Sequence, residues 1–479
     1  MIENRKFYIG GKWVDPAEPR DCIVTDPSTE EPCAVISLGS EADTNAAVAA
    51  ARRAFPAWAN TPVETRIGYV EKVLEIHHRR MDDMVAVISA EMGAPKHLSR
   101  TQQATSGTEN IADALEAAKH IEWERPLGAH APGAHLLMEP IGVVGMITPW
   151  NWPLSQVTLK VFPAMIAGCT MVLKPSEFAP LDAVLIAEMI DEAGVPPGVF
   201  NLVNGDGAGV GSQLSAHPDV DMISFTGSTR AGKAISHNAA DTLKRVSLEL
   251  GGKGANIIFE DAGEAAVKTG VRRCFNNTGQ SCNAPTRMLV EDAFYDRAVE
   301  IARETAEKTT VGSAHEDGRH IGPLVSEIQF DKVQGLIQKG IDEGATLVAG
   351  GVGRPEGFNR GYYVRPTVFA DVTNDMTIAK EEIFGPVLSI MRFKSEDEAL
   401  AIANDTPYGL TNYVQTADGA RRNRFARGLR SGMVEMNYRS RGAGAPFGGV
   451  KASGRAREGG VWGIEEYLEV KSVSDWAAE

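Results

Sequence analysis

The chain has 479 residues, with 63 Asp and Glu against 48 Lys and Arg, which gives a formal net charge of −15. Its 43% hydrophobic and 23% charged residues exclude an intrinsically disordered chain. This length predicts more than one domain. Because an acidic surface repels phosphate backbones and anionic lipids, we expect neither nucleic acid nor a membrane as a partner.

The five cysteines are irregularly spaced, and no C-x-x-C pair occurs. Free thiols are typical of a reducing compartment. The first 16 residues lack the apolar core of a secretory signal, and the apolar run 141–150 is about half the roughly 20 residues needed to cross a bilayer. We therefore expect a cytoplasmic protein.

The elements are predicted from local patterns along the chain. Residues 1–40 contain short β-forming runs between glycines and prolines, and residues 41–120 carry apolar positions at helical spacing. Residues 121–140 break that spacing with prolines and glycines. Short apolar runs then alternate with helical patterns through 141–250, and a second series follows the glycine pair at 251–252. This alternation predicts an α/β fold with parallel sheets and right-handed crossovers.

Cys282 lies in a polar, glycine-containing turn, FNNTGQSCN at 275–283. A thiol with a pKa of about 8.5 is mostly protonated at neutral pH, so a nucleophilic cysteine needs local activation. A turn that leads into a helix offers backbone N–H groups and a favourable dipole. The alternative is a partly buried structural cysteine, which is our interpretation of the other four.

Glu249 ends an apolar strand and precedes the glycine pair. Burial at the edge of a sheet would raise the pKa of this carboxyl, which suits a general base near neutral pH. The alternative is a strand-end glutamate that is paired with Lys253 or Arg245.

Asn151 lies between two tryptophans and two prolines in PWNWP at 149–153. A rigidly held amide of this kind can donate to a developing oxyanion without reorganising. The alternative is an aromatic turn that fills the core.

Lys174 and Glu177 follow a predicted strand, at the edge where doubly wound sheets bind nucleotides. A carboxylate there can accept from both ribose hydroxyls and repels a 2′-phosphate, which favours NAD over NADP. A surface ion pair is the alternative.

Two glycine-rich turns follow predicted strands, GDGAGVG at 205–211 and FTGSTRAG at 225–232. The first lacks the strict G-x-G-x-x-G spacing, whereas the second allows a pyrophosphate to approach the start of a helix. No P-loop, G-x-S-x-G or H-E-x-x-H motif occurs, and the ten histidines are scattered. We therefore predict no metal site.

Taken together, these motifs resemble the NAD(P)-dependent aldehyde dehydrogenase superfamily, of the hydrolytic type that does not acylate coenzyme A. The resemblance covers essentially the whole chain, and the motifs occur in the order found in the family. They are PWNWP, VLKPSE, FTGSTRAG, LELGGK, FNNTGQSC, EEIFGPV, NDTPYGL and PFGGVKASG. The resemblance implies oxidation of an aldehyde to the carboxylic acid with reduction of NAD, with NADP as a possible second cofactor.

The resemblance also implies catalytic roles. Cys282 would attack the aldehyde carbon to give a thiohemiacetal, whose oxyanion the Asn151 amide and the Cys282 backbone N–H would hold. Hydride transfer to the nicotinamide would leave a thioester, and Glu249 would activate the water that hydrolyses it. Lys160 and Glu458 match a proton relay behind Glu249.

The resemblance further implies the cofactor contacts, with Lys174 and Glu177 at the adenosine ribose and Glu382 and Phe384 at the nicotinamide ribose and ring. The expected cofactor-binding residues are Ile147, Thr148, Pro149, Trp150, Lys174, Ser176, Glu177, Gly207, Gly211, Phe225, Gly227, Ser228, Leu250, Glu382 and Phe384. Trp152 and Phe447 match the aromatic walls of the substrate funnel.

The chain departs from the family pattern on the substrate side. Many relatives read G-x-V-W-V-N where residues 432–437 read GMVEMN, and the loop 439–445 is basic and then small. The small loop predicts a roomy pocket for an aromatic or branched aldehyde. Alternatively, Arg439 or Arg441 recruits an anionic semialdehyde. Glu249 argues against a coenzyme A-acylating enzyme, and the intact catalytic positions argue against a non-catalytic homologue.

The family fold implies a Rossmann-like NAD-binding domain from 1–120 and 141–250 and an α/β catalytic domain from 251–459. Residues 121–140 and 460–479 would form a bridging β element that adds a strand to a neighbouring subunit. We therefore expect a homodimer or a homotetramer.

Overall fold

The computed structural model describes residues 1–476; residues 477–479, the end of the expected bridging element, lie outside the described residues. The strands are β1 (Ile2–Asn4), β2 (Phe7–Ile9), β3 (Lys12–Val14), β4 (Asp21–Asp26), β5 (Glu31–Ser37), β6 (Glu124–Pro126), β7 (His135–Pro140), β8 (Val143–Ile147), β9 (Thr170–Lys174), β10 (Phe200–Leu202), β11 (Met222–Thr226), β12 (Arg245–Glu249), β13 (Ala255–Ile258), β14 (Arg287–Glu291), β15 (Thr346–Ala349), β16 (Thr367–Ala370), β17 (Val387–Phe393), β18 (Thr411–Gln415), β19 (Met433–Met436) and β20 (Leu468–Val473).

The helices are α1 (Glu41–Ala59), α2 (Val63–Arg79), α3 (Met81–Met92), α4 (Lys96–Leu98), α5 (Ala104–Ala118), α6 (Pro153–Ala167), α7 (Leu181–Glu192), α8 (Ser212–Ala216), α9 (Thr229–Ala239), α10 (Gly263–Phe275), α11 (Tyr295–Glu307), α12 (Glu327–Asp342), α13 (Thr377–Lys380), α14 (Glu396–Asn404), α15 (Gly419–Gly428) and α16 (Gly460–Glu465). Two π-helical turns occur at Ser99–Gln103 and Gly207–Gly211.

The first large sheet has the strand order β12-β11-β8-β9-β10-β2-β3. Its five strands from β12 to β10 are parallel, and β8, β9 and β11 are buried along their whole length, as expected for strands covered on both faces. Helix α6 covers this sheet; it begins with Pro153, where a missing N–H costs nothing, and ends at left-handed Gly168. The carboxyl ends of four parallel neighbours therefore share one edge.

The second large sheet has the order β15-β16-β17-β14-β13-β18-β19, parallel except for β15. Its core on one face is formed by apolar residues of β13, β17 and α12. The other face packs against α10 and α11, which places the C-terminal end of α10 beside the sheet. The turn that carries Cys282 follows this helix end directly.

Two smaller sheets complete the fold. Strand β20 pairs antiparallel with β7, which pairs with β6, so residues 121–140 and the C-terminal segment form one sheet. Strands β1, β5 and β4 form the other. No helix among the described residues is long and apolar enough to cross a membrane.

The α/β fold predicted from the alternation of patterns is confirmed, as is the departure from helix at 121–140. The sequence patterns missed β16, β18 and β19, and they did not show that β2, β3 and β15 run antiparallel at the sheet edges. Short strands carry little periodic signal, and the direction of a strand near a sheet edge depends on the distant strand with which it pairs.

Candidate active site

The loop that carries Cys282 has a strained backbone. After α10, the residues Asn277, Thr278 and Gly279 have φ angles of 52°, 56° and 72°, in the left-handed region. A Cβ on Gly279 would lie 2.1 Å from the carbonyl oxygen of Gly385, so only glycine fits there. This conformation reverses the chain and leaves Cys282 half-buried at the end of the loop.

Buried amide side chains hold the loop in place. Gln280 Oε1 accepts from the backbone N–H of Val325 at 3.0 Å, and Asn277 Nδ2 donates to the carbonyl oxygen of Asn151 at 2.8 Å. Gln103 Nε2 donates to the same carbonyl at 3.0 Å and to Asn277 Oδ1 at 3.1 Å. These bonds tie the loop to the turn after β8 and compensate for the strain of its backbone.

The PWNWP turn contacts the residues just before Cys282. Asn151 is buried, and its Nδ2 donates to the carbonyl oxygen of Gln280 at 3.1 Å. The indole N–H of Trp152 donates to Ser281 Oγ at 2.8 Å. The turn therefore does more than fill the core, because it brings the Asn151 amide to the thiol loop.

Glu249 is the last residue of β12, and its side chain is 2% exposed. Within residues 1–476 neither of its carboxylate oxygens accepts a hydrogen bond, so the alternative ion pair with Lys253 or Arg245 does not form. Burial raises its pKa well above the usual value, and the nearby Glu458 carboxylate adds to this effect. A Cβ on Gly252 would lie 2.3 Å from the Cys282 carbonyl oxygen, so the segment after β12 packs directly against the thiol loop.

Lys160 of α6 and Glu458 form a buried ion pair next to Glu249. The two residues are 1% and 5% exposed, and Glu458 Oε2 has no other partner within the described residues. The backbone of Glu458 also exchanges two hydrogen bonds with Phe447, at 2.7 and 2.8 Å. The pair therefore fixes one carboxylate and one ammonium behind the unpaired Glu249.

The thiol of Cys282 is held in its protonated form. Burial raises its pKa, and the carboxylates of Glu382 and Glu249 raise it further. The backbone N–H of Asn283 acts in the opposite direction but is a smaller influence. Attack by this sulfur therefore requires a group that takes the proton, and Glu249 is the unpaired carboxylate nearby.

The expected cofactor residues meet along the carboxyl edge of the first sheet. Ile147 and Lys174 are the last residues of β8 and β9 and lead into the turns 148–150 and 175–177. Phe225 lies at the end of β11, just before Gly227 and Ser228, and Leu250 follows β12. These four strands are neighbours, so their ends form one continuous surface. Ser228 caps α9 through its hydroxyl, which leaves the N-terminal amides of this 11-residue helix at the same edge.

Lys174 is buried and Glu177 lies beside it. The Lys174 ammonium donates to the carbonyl oxygens of Pro175 at 2.7 Å and Gly205 at 2.6 Å, and lies 3.5 Å from the Glu177 carboxylate. Gly211 approaches the same lysine, since a Cβ there would lie 3.9 Å from Lys174 Cδ. The pair is therefore not a simple surface ion pair, and it joins the glycine-rich turn to β9.

Gly207 begins the π-helical turn, and a Cβ added to it would meet no atom within 4 Å. Ser176 is buried in the turn after β9, where its hydroxyl accepts from the Phe178 backbone N–H at 3.3 Å. Both residues thus border the edge of the sheet where Lys174 and Glu177 lie.

Glu382 and Phe384 approach this edge from the other half of the chain. Glu382 Oε1 accepts from the Gly252 backbone N–H at 2.8 Å, and the Phe384 ring lies edge-on to Trp150 with 5.4 Å between centroids. Phe384 has a φ of 61°, a conformation that a bulky residue rarely adopts. Strain of this kind is concentrated at functional sites.

A cleft of about 590 Å³, here called the tunnel, is lined in part by Ser281 and Asn283, the residues that flank Cys282. Its walls include Trp152, Ser281, Asn283, Tyr413 and Arg441. Phe447 is not part of its lining and instead packs under the Arg441 guanidinium, 4.8 Å from the ring centroid. Arg439 is exposed and is also outside the lining.

Several positioning residues were missed from the sequence. Gln103, Asn277 and Gln280 hold the thiol loop, and Arg273 and Glu435 line the tunnel. Glu435 accepts from Arg273 at 2.9 Å. The signal available in the sequence was the unusual glutamate in GMVEMN, where relatives carry an aromatic residue.

Comparisons with known proteins identify the family. The profile of the Aldehyde dehydrogenase family matches residues 13–473. A 3-succinoylsemialdehyde-pyridine dehydrogenase from a Pseudomonas species is 50% identical over 475 residues, which is 99% of each chain.

Solved structures agree with this match. An aldehyde dehydrogenase from Bartonella henselae is 61% identical with a TM-score of 0.98, covering 99% of this chain and 100% of that one. A mutant of aldehyde dehydrogenase C from Pseudomonas syringae, solved with NAD+ and octanal, is 47% identical with a TM-score of 0.97, covering 99% of this chain and 97% of that one. The chain belongs to the aldehyde dehydrogenase family.

Proposed function

We propose that this enzyme oxidises its aldehyde through a covalent intermediate on Cys282, with Asn151 and the Cys282 backbone N–H as oxyanion donors. The observation that carries the proposal is the convergence of two strand ends on the thiol loop. Asn151 follows β8 and donates to Gln280, and Gly252, three residues after Glu249, packs against Cys282. A nucleophile, a rigid amide donor and an unpaired carboxylate therefore meet at one place.

In the first step the sulfur of Cys282 forms a bond to the aldehyde carbon, and the electron pair of the C=O bond moves to the oxygen. The thiol proton passes to Glu249, whose raised pKa makes it an effective acceptor near neutral pH. The Asn151 amide and the backbone N–H hold the oxyanion.

Hydrolysis completes the reaction. A bound NAD would supply the acceptor for the hydride of the former aldehyde carbon, and this carbon would then be held as a thioester on Cys282. Glu249 then gives up the proton that it took from the thiol. Water attacks the thioester carbon while Glu249 takes one of the water protons, the C–S bond breaks with its electron pair on sulfur, and the sulfur takes a proton to restore the thiol. The Lys160–Glu458 pair behind Glu249 offers a route by which the proton leaves the buried site.

The donor set along the first sheet fits a dinucleotide. The Glu177 carboxylate offers acceptors to ribose hydroxyls, the N-terminus of α9 offers amides to a pyrophosphate, and Glu382 lies beside the thiol loop. We propose that these residues, with the other expected cofactor contacts, bind NAD in preference to NADP, because Glu177 repels a 2′-phosphate. The NAD+ complex of the Pseudomonas syringae relative supports this proposal.

We propose the domain division given by the family resemblance: a cofactor domain from 1–120 and 141–250, a catalytic domain from 251–459, and a bridging element from 121–140 and 460–479. The division is supported by the two large sheets and the separate β20-β7-β6 sheet. Within residues 1–476, β20 lies at one end of its sheet and β19 ends the second large sheet, so a homodimer or homotetramer formed by strand addition is the proposed assembly. We also propose a cytoplasmic location, on the basis of five free cysteines.

The substrate is proposed to be an aromatic or branched aldehyde, because Trp152 and Tyr413 provide flat walls in a wide tunnel. The name of the Pseudomonas relative contains both a pyridine ring and a semialdehyde, which supports an aldehyde carried by a molecule that contains an aromatic ring. An anionic semialdehyde is the second candidate, favoured by Arg441 in the tunnel lining.

The test is NADH formation by the purified enzyme with aliphatic, aromatic and carboxylated aldehydes, with NAD or NADP, and with or without coenzyme A. We expect faster turnover with NAD, the free acid as product, and no requirement for coenzyme A. A product that is an acyl-coenzyme A, or equal rates with both dinucleotides, would contradict the proposal. Activity confined to acetaldehyde would contradict the substrate class.

A further inference from the structure

A second cleft adjoins the tunnel. This cleft, here called the basic vestibule, has a volume of about 800 Å³ and lies between the segment 97–102, the helices α10 and α11, and the loop 309–321. The vestibule and the tunnel share Gln102, Arg272 and Asn276. Arg272 therefore lies where the two clefts meet, near the residues beside Cys282.

The charge of these walls is opposite to that of the whole chain. The vestibule is lined by Lys268, Arg272, Lys308 and Arg319 and by a single carboxylate, Glu304. The chain as a whole carries a net charge of −15, which opposes the approach of an anion. A concave region lined by cations on such a surface raises the local concentration of small anions.

The tunnel is also cationic, but part of its charge is already neutralised. Three guanidiniums, Arg272, Arg273 and Arg441, share the lining with one carboxylate, Glu435. Glu435 lies 2.9 Å from Arg273 and 3.7 Å from Arg441, so both of these arginines are next to the buried carboxylate. Arg273 also donates to the Tyr438 carbonyl oxygen at 2.8 Å. These bonds hold the inner two guanidiniums in place.

Arg272 differs from these two arginines. Its side chain is exposed at the end of α10, and within residues 1–476 no carboxylate lies within 4.0 Å of its guanidinium. In the vestibule, Lys268 is paired with Glu264 and Lys308 with Glu304, at 3.4 and 3.3 Å. Arg319 has no ion pair among residues 1–476, but it does not line the tunnel. Arg272 is thus a cation without a partner at the junction of the two clefts, with its planar donors available to a ligand.

We propose that Arg272 is a specificity-determining residue, which binds a carboxylate carried by the aldehyde substrate at the end remote from its carbonyl group. The basic vestibule is the route by which such anionic aldehydes reach the tunnel. This inference rests on the proposed function of Cys282, and it narrows the substrate class to aldehyde acids. An aromatic ring between the two groups would lie against Trp152 and Tyr413.

The test compares kcat/KM for two pairs of aldehydes that differ by a carboxylate: succinate semialdehyde with butanal, and 4-carboxybenzaldehyde with benzaldehyde. The ratio of the charged to the uncharged aldehyde is measured for the full-length enzyme and its variants. Because a charge-assisted bond to a partly exposed arginine is weakened by water, we expect Arg272→Gln to lower this ratio by about tenfold. Arg272→Lys keeps the charge and should lower it less.

The matched control is Arg427→Gln, which removes an exposed arginine of α15 that lines neither cleft. This variant should keep the wild-type ratio. Raising the salt concentration should lower the ratio in the wild type and have a smaller effect in Arg272→Gln, since the attraction is screened.

An unchanged ratio in Arg272→Gln would overturn the proposal, and so would an equal loss in Arg427→Gln. A loss found only in Arg441→Gln would overturn it as well, because the inner guanidinium would then be the binding group. Turnover of butanal and benzaldehyde separates a failure of the Arg272 proposal from a failure of the proposed function. If the wild type oxidises neither these nor the charged aldehydes, the proposed function itself fails.

Discussion

Replacing Glu249 with glutamine tests the proposed general base directly. Glu249→Gln keeps the shape of the side chain and removes its ability to take a proton. Within residues 1–476 the carboxylate accepts no hydrogen bond and is 2% exposed, so the exchange breaks no bond and the protein should still fold. A positioned general base contributes about 10²–10⁴-fold, and we expect both steps in which Glu249 takes a proton, the attack of the Cys282 thiol and the hydrolysis of the thioester, to slow by that factor.

The assay is rapid-mixing measurement of NADH with saturating aldehyde and NAD. Because Glu249 is proposed to take the thiol proton as well as the water proton, Glu249→Gln should show no rapid release of NADH and a slow steady-state rate. Mass spectrometry of the intact chain measures how much acyl group accumulates on Cys282. The control is Glu469→Gln, which removes an exposed carboxylate of β20 paired with Arg245 and should leave turnover unchanged. Wild-type steady-state turnover in Glu249→Gln would show that Glu249 is not the general base.

The pH dependence gives an independent check on the same residue. Burial raises the pKa of Glu249, and the base must be ionised to act, so activity should be lost as the pH falls through a value well above that of an ordinary carboxyl group. The residual hydrolysis by Glu249→Gln should lack this step. A wild-type profile that stays flat down to the pH at which an exposed glutamate titrates would contradict the assignment.

Three further substitutions test the buried ion pair, the thiol loop and the proposed cofactor contact. Lys160→Met leaves the buried Glu458 carboxylate without its cation and should destabilise the protein by about 3–5 kcal/mol in a urea titration, most of which the double variant with Glu458→Leu should recover. Gly279→Ala places a Cβ 2.1 Å from a carbonyl oxygen and should lower both stability and turnover, whereas Gly194→Ala, with a similar φ of 75° and open space, should cost only about 1–2 kcal/mol and keep activity. Glu177→Gln should raise the KM for NAD and reduce the preference for NAD over NADP by about tenfold, measured as the ratio of kcat/KM values, and an unchanged ratio would refute its role.

Much of the fold follows from local sequence. The strands β8, β9 and β11 are buried, mostly apolar runs followed by polar or glycine-rich turns, so both their direction and the position of the site at their carboxyl ends could be predicted. Strands such as β18 and β19 were not predicted, because their polar residues interrupt the apolar pattern. Some of these residues line the tunnel, and others form buried hydrogen bonds.

The residues that hold the thiol loop illustrate the limit of prediction from one sequence. Gln103 bonds to Asn277, 174 positions away in the chain, and nothing near Gln103 shows that its amide is buried. Glu435 was noticed only as a departure from the family pattern, since its bonds to Arg273 and Arg441 depend on how β19 packs beside α10. Contacts of this kind are determined by tertiary structure rather than by local spacing.

The central claim is that Cys282 carries the reaction, and a comparison of two cysteine variants tests it most directly. NADH formation from an aldehyde and NAD is measured for Cys282→Ala and for Cys22→Ala, which removes another partly exposed free cysteine. We predict that Cys282→Ala abolishes NADH formation and acyl-enzyme formation, while Cys22→Ala retains both. Undiminished aldehyde oxidation by folded Cys282→Ala would show that Cys282 is not the nucleophile.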